Sequence, residues 1–143
     1  YQMKKDYKIF LILNIAVPLI IGAVIYYFLS SDVIFVKIID KILKVEIHFT
    51  ELVETSFVIR FVRFYALDML WGYALVFALH FIYGNNEAGI RKIFIIAVIF
   101  TIIMEVFQLI CPSAGTFDLY DILCEALAEI LAIFIIKNAH KEI

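Results

Sequence analysis

The chain has 143 residues, 65% hydrophobic and 18% charged, with a net charge of −2 and a mean hydropathy of +1.02. Soluble domains carry about 45–50% apolar and roughly 25% charged residues, so both departures point to a membrane protein, and the length fits a single domain. The near-neutral balance leaves no basic footprint for a nucleic acid. Two cysteines, Cys111 and Cys124, with no CxxC spacing, exclude a zinc-finger pattern and a disulfide framework.

The first apolar run, 9–29, contains no charged residue. At about 1.5 Å per residue it matches a hydrocarbon core of roughly 30 Å. Asn14 and Pro18 interrupt it, and Pro18 is expected to kink it. A cleaved signal peptide would have an apolar region of about 7–15 residues before a small-residue site. This run is longer, and Ser30-Ser31-Asp32 is a poor cleavage context, so a retained span is expected.

Residues 33–55 read differently. Lys37, Asp40, Lys41, Lys44, His48 and Glu51 follow one another in steps that trace one helical face, and Ile34, Phe35, Ile38, Ile39, Ile42 and Val45 form much of the other. This is the pattern of an amphipathic helix lying along the membrane interface. A solvent-facing cap on the bundle is the alternative.

A second span is expected over 64–83, with Asp68 near its start, His80 near its end, and Arg60 and Arg63 ahead of it. A cluster of breakers between Gly84 and Gly89 ends it. The third span covers 93–111 and carries Glu105 and Gln108. The fourth covers 119–136 and carries Asp121, Glu125 and Glu129. The expected fold is thus all-α: one integral membrane domain, 1–143, of four transmembrane helices with an outer interfacial amphipathic helix. Orientation follows Lys and Arg beside the span ends. Lys4, Lys5, Lys8, Arg91, Lys92, Lys137 and Lys141 fall on one side, against Lys37, Lys41, Lys44, Arg60 and Arg63 on the other. Three of the latter belong to the amphipathic segment, so both termini are expected to be cytoplasmic.

The charges inside the spans carry the functional information. Each costs about 2.5–3.5 kcal/mol at a helix centre on insertion scales, so each is expected to face the bundle or a wet cavity. Asp118, Asp121, Glu125 and Glu129 are spaced by three, four and four, which sets them on one helical face. Glu105 and Gln108 share a face in the same way. Glu125 lies about 6 Å below Asp121, Glu105 about 9 Å below Cys111, and Asp68 about one turn inside its span. With helices running alternately up and down, Asp68, Glu105, Asp121 and Glu125 reach a similar depth in the outer half of the membrane.

Carboxylates that close cannot all stay ionised alone. They are protonated, paired with Arg60 or Arg63, or bound to a cation, which for oxygen ligands means calcium or magnesium rather than zinc. No stricter ligand motif specifies a metal, and no other cofactor is indicated. A purely structural role, stapling helices together, is the bland alternative; interhelical hydrogen bonds average only about 0.6 kcal/mol, which hardly offsets burial. His80 is expected to face the bundle or the interface, and Trp71 and Tyr73 to pack in the core. Ala74 with Ala78, and Ala128 with Ala132, suit close helix contact. Cys111 and Cys124 lie toward the same side and are candidates for a bridge. Neither a Ser-His-Asp order, nor a Gly-rich phosphate loop, nor HExxH is present.

Glu105-Val-Phe-Gln108, then Pro112, then Asp118-Leu-Tyr-Asp121-Ile-Leu resembles the C-terminal half of the VanZ-like membrane protein family. That family shows E-x-x-Q on one helix, a loop like R-x-x-D-x-x-D, and a last helix rich in small residues. Asp68 with Met-Leu-Trp is similar to the family's D-K-x-x-H stretch. The resemblance covers about 64–136. The chain departs from the pattern where the loop arginine falls on Gly115, the Asn after the second Asp on Glu125, the last-helix glycine on Ala128, and the Lys and His after Asp68 on Met69 and Gly72. Arg60 or Arg63 is the local source of the missing positive charge.

The resemblance implies a bacterial plasma-membrane protein of the cell envelope, in a family whose named member is associated with reduced susceptibility to the glycopeptide antibiotic teicoplanin. The reading that follows is a pocket open to the outside that binds a polar or cation-bearing head group, of an envelope lipid or a glycopeptide. Glu105, Gln108, Asp118 and Asp121 lead the ligand-binding set, followed by Asp68, Glu125 and Arg63. The rivals are an enzyme on lipid head groups with two carboxylates as acid and base, for which no nucleophile is identified; an ion- or proton-coupled carrier relaying through Glu129; and a structural accessory subunit.

Overall fold

The computed structural model describes residues 5–30, 34–44, 47–83, 87–111 and 117–142. Every regular element among them is a helix: α1 (Lys5–Leu29), α2 (Ile34–Leu43), α3 (Thr50–Thr55), α4 (Phe57–Phe61), a π-helical segment (Val62–Ala66), α5 (Leu67–Tyr83), α6 (Glu87–Ile110) and α7 (Leu119–Glu142). Ser56 starts α4 as its N-cap, its hydroxyl accepting from the Ile59 amide. Asp118 does the same for α7, its carboxylate accepting from the Tyr120 amide at 2.9 Å. Both meet the need of the first helical N–H groups for an acceptor.

Among the described residues three helical stretches are long and apolar enough to cross a membrane: Lys5–Leu29, Phe57–Tyr83 and Gly89–Ile110. By length and composition these helices are consistent with a membrane protein. α7 has the length, 24 residues, but Asp121, Glu125, Glu129 and Lys137 are spread along it and lower its apolar character. Its faces are sorted nonetheless. Glu125 and Glu129 are buried, while Leu123, Leu127, Ile130, Leu131 and Phe134 are exposed.

α5 is the central element, packed against α1, α6 and α7. Pairings fix the directions. Tyr7 Oη lies 2.9 Å from His80 Nε2, and the Gly22 backbone faces Leu67 and Leu70, so α1 and α5 are antiparallel. Thr101 meets Glu129 and Glu105 meets Asp118, so α6 and α7 are antiparallel too. The core lies toward the Tyr7–His80 end, where Tyr7, Leu11, Val76, Phe77, Ile93, Ala97, Ala132 and Ile136 form one buried cluster. Ala74, Ala128 and Ala132 are buried, in line with the small-residue spacing that lets helices approach.

The stretch 33–55, expected as one amphipathic helix, is broken. α2 stops at Leu43, Lys44 adopts φ 54°, and α3 starts at Thr50. In a continuous helix Asp40 and His48 would share a face about 12 Å apart. The break brings them together: His48 Nε2 is 2.8 Å from Asp40 Oδ2, and the Tyr27 hydroxyl donates to Asp40 Oδ1 at 2.7 Å. The Phe49 amide also donates to the Phe28 carbonyl at 2.9 Å. These tertiary bonds outweigh the helical periodicity. Asp40 therefore leaves the exposed lysine face, while Lys37 and Lys41 keep it and Ile38 and Ile42 stand exposed beside them.

His48 Nδ1 lies 3.1 Å from the Tyr27 carbonyl, so both ring nitrogens face acceptors, an arrangement that favours the imidazolium. Burial pushes the Asp40 carboxyl up, but the hydrogen bonds from Tyr27 and His48, with the His48 charge, outweigh it and hold the carboxyl below its ordinary 3.8. A depressed carboxylate stabilises the fold above its unfolded value and loses that contribution as pH falls through the folded one. The melting advantage of the wild type over Asp40→Asn in detergent is thus expected at neutral pH and should shrink progressively as pH falls below about 3.8. ¹⁵N spectra at neutral pH should show both His48 nitrogens protonated; a neutral tautomer would contradict the arrangement.

Candidate functional site

The carboxylates of α5, α6 and α7 gather at the Leu119 end of the bundle, and the structure divides them into two groups. The first fastens helices. Glu105, 5% exposed, accepts the Asp118 amide through Oε2 at 3.1 Å, so it closes the start of α7 from the side of α6. Asp118 caps its own helix and also takes a long hydrogen bond from the Tyr65 hydroxyl at 3.4 Å. Glu129, fully buried, accepts from the Thr101 hydroxyl at 3.1 Å. Glu125 stands between them, against Thr101 and within electrostatic range of Glu129, Asp68 and Glu105. It occupies a notch in α5: a Cβ at Gly72 would run into Glu125 Cγ and stand 3.1 Å from its Oε1. Gly72 is required there by close approach, because any side chain would displace the carboxylate arm.

The second group faces open space. A cavity of about 690 Å³ lies between α1 and the Phe57–Tyr83 helix, within the roughly 300–1,000 Å³ typical of ligand pockets. Arg63, Asp68, Gln108 and Asp121 reach its wall from the π segment, α5, α6 and α7, with Tyr26 and Ser30 from α1. Pro18, Gly22, Leu67, Leu70 and Trp71 make the rest largely apolar. Of the residues expected in the site, Glu105, Asp118 and Glu125 are thus in the bundle's joints, and Arg63, Asp68, Gln108 and Asp121 line the cavity. A second cavity, of about 610 Å³, shares Pro18 and Leu70 but is otherwise apolar apart from Asn14 and Tyr73, which bond to each other at 2.6 Å.

The π segment explains how Arg63 and Asp68 come to line one space. Five residues apart, they would point about 140° from each other in an α-helix at 100° per residue. A wider turn with i→i+5 bonding brings such positions back onto one side; such turns recur at functional sites. Arg63 also lies over the Phe64 ring, 5.5 Å from its centroid.

Other expectations resolve as follows. Among the described residues no three His, Cys, Asp or Glu side chains are placed to hold a metal ion; Glu105, Asp118 and Glu129 take separate donors instead. Cys111 and Cys124 are free thiols. His80 is fully buried, facing the bundle at the opposite end. Trp71, expected in the core, is 47% exposed and lines the cavity, because α1 leaves a gap at Gly22 rather than covering the ring. Thr101 and Tyr65 were not singled out by sequence. Thr101 had a signal, standing four residues before Glu105 and hence on its face. Tyr65 had none, since its reach to Asp118 depends on the π segment.

Gly72→Ala should lower stability by about 1–3 kcal/mol, the usual range for overpacking. Adding Glu125→Ala should recover most of that loss in a double-mutant cycle read by thermal unfolding; additive losses would mean that the notch does not hold Glu125. No protein-family model, curated protein or solved structure matches the chain.

Proposed function

We propose that the chain is a VanZ-like protein of the bacterial cell envelope that binds a polar or cation-bearing head group, of an envelope lipid or a glycopeptide, in the cavity between α1 and α5. It crosses the plasma membrane four times, with both termini cytoplasmic and 33–55 at the outer surface. The observation that carries this reading is the cavity: four helices contribute to its wall, and Arg63, Asp68, Gln108 and Asp121 converge on it beside an apolar flank. Polar groups of both signs within a hydrocarbon-facing bundle suit an amphiphile that enters sideways from the bilayer. α7 supports the fourth span, since Glu125 and Glu129 are buried and its outward residues from Leu123 to Phe134 are apolar. The exposed Ile38 and Ile42 beside Lys37 and Lys41 support an interfacial α2.

Gly22 offers a test that leaves the charges alone. A Cβ there meets Leu70 and Leu67 only at 3.9 and 4.0 Å, so the position has room for a Cβ, and Gly22→Leu places apolar bulk on the cavity wall. Native mass spectrometry after release from mixed-lipid nanodiscs should find a retained amphiphile on the wild type and none on Gly22→Leu. Equal retention would place binding elsewhere. Topology is tested in a Cys111→Ser, Cys124→Ser background. An impermeant maleimide should label Lys44→Cys in intact cells and Lys137→Cys only after permeabilisation.

A further inference from the structure

The charged side chains on the cavity wall are Arg63, Asp68 and Asp121. Ionised, they leave one negative charge in excess. Asp121 also has unused acceptor capacity: its Oδ1 has no hydrogen-bond partner among the described residues. A carboxylate short of donors is stabilised most by a charged one. One positive charge that carries N–H meets both needs. An ammonium supplies both, with three donors for Asp121, Asp68 and the Gln108 carbonyl. A quaternary ammonium supplies charge without a donor, and an alcohol supplies a donor without charge. A coordinated metal ion has no ligand set among the described residues. Beside these polar groups, Pro18, Leu67, Leu70 and Trp71 offer an apolar surface.

We propose that the cavity selects long-chain primary amines. The ammonium donates to the Asp121 carboxylate and offsets the excess negative charge, and the chain lies along Pro18, Leu70 and Trp71. This rests on the reading of the cavity as the binding site. The ammonium belongs either to an amine-bearing phospholipid of the bilayer or to a free cationic amphiphile, and the shared chemistry is the primary amine on an apolar chain.

The chain has one tryptophan, and it lines the cavity, so Trp71 emission reports occupancy. The protein in phosphatidylcholine nanodiscs is titrated with a nitroxide-labelled long-chain primary amine, and with the alcohol and the trimethylammonium compound of the same chain. The amine is expected to quench Trp71 saturably, at concentrations about tenfold or more below the other two, and Asp121→Asn should weaken it by a similar factor. Unlabelled dodecylamine should displace the probe from the wild type and dodecanol should not, which reads the same selectivity without any substitution.

If alcohol and amine bind alike, the cavity takes a chain only, and the amine assignment falls while the binding reading stands. If the trimethylammonium compound binds as well as the amine, charge alone is recognised, and the proposal is overturned. If no probe quenches saturably and Gly22→Leu retains as much amphiphile as the wild type, the binding reading fails with it. Replacing phosphatidylcholine by phosphatidylethanolamine separates the sources. Displacement of the probe assigns the ligand to the bilayer, and unchanged quenching assigns it to a free amphiphile.

Discussion

A carboxylate buried among helices needs donors and room, and the chain presents one at nearly every turn from Asp118 to Glu129. The rest of the bundle is arranged around that stripe. Glu129 and Glu125 require neighbours that supply donors and leave room, and the fold provides Thr101 on α6 and the bare backbone of Gly72 on α5. The outward side of α7 is then free to be Leu, Ile and Phe. Central placement of α5 follows from the same need, since it is the helix that α1, α6 and α7 all pack against, and its notch seats the acid that could not be accommodated elsewhere. A stripe that lowers the apolar character of α7 as a segment thus determines how the other helices dock.

The division of labour among the carboxylates is a consequence of depth and direction. Those on the joints have donors from a neighbouring helix: Glu105 from the Asp118 amide, Glu129 from Thr101. Those on the cavity, Asp68 and Asp121, lie where α1 does not close against the bundle. The helix start at Leu119 sharpens the difference. The amides of Tyr120 and Asp118 use Asp118 and Glu105 as acceptors, which engages one oxygen of each in the joint and leaves Asp121 as the first acid of α7 on the cavity wall.

Much of this was legible in the chain before any coordinates. Spacing by three and four put the α7 acids on one face, and counting residues from span ends brought Asp68, Glu105 and Asp121 to one level; both follow from the rise and pitch of a helix alone. What was not legible depended on backbone irregularity or on packing between distant segments. Asp40 and His48 fit a helical face by spacing, but a left-handed Lys44 folded one back onto the other. Trp71 read as core because no pattern reveals where a neighbouring helix will leave a gap. The bond from the Asp118 amide to Glu105 was equally hidden, because residue type and depth do not reveal which donor a buried carboxylate meets.

The π segment at Val62–Ala66 has a consequence for how the protein changes over time. A wide turn is one residue more than an α-helix needs, so it behaves as an insertion absorbed in place. The stretch ahead of it, from Ser56 through α4, is phased separately from α5. Losing that residue would leave Asp68 and Gly72 at their stations but turn Arg63 away from Asp68. The extra residue is thus what keeps a positive charge on the cavity wall, and its loss would change the character of the cavity without disturbing the bundle.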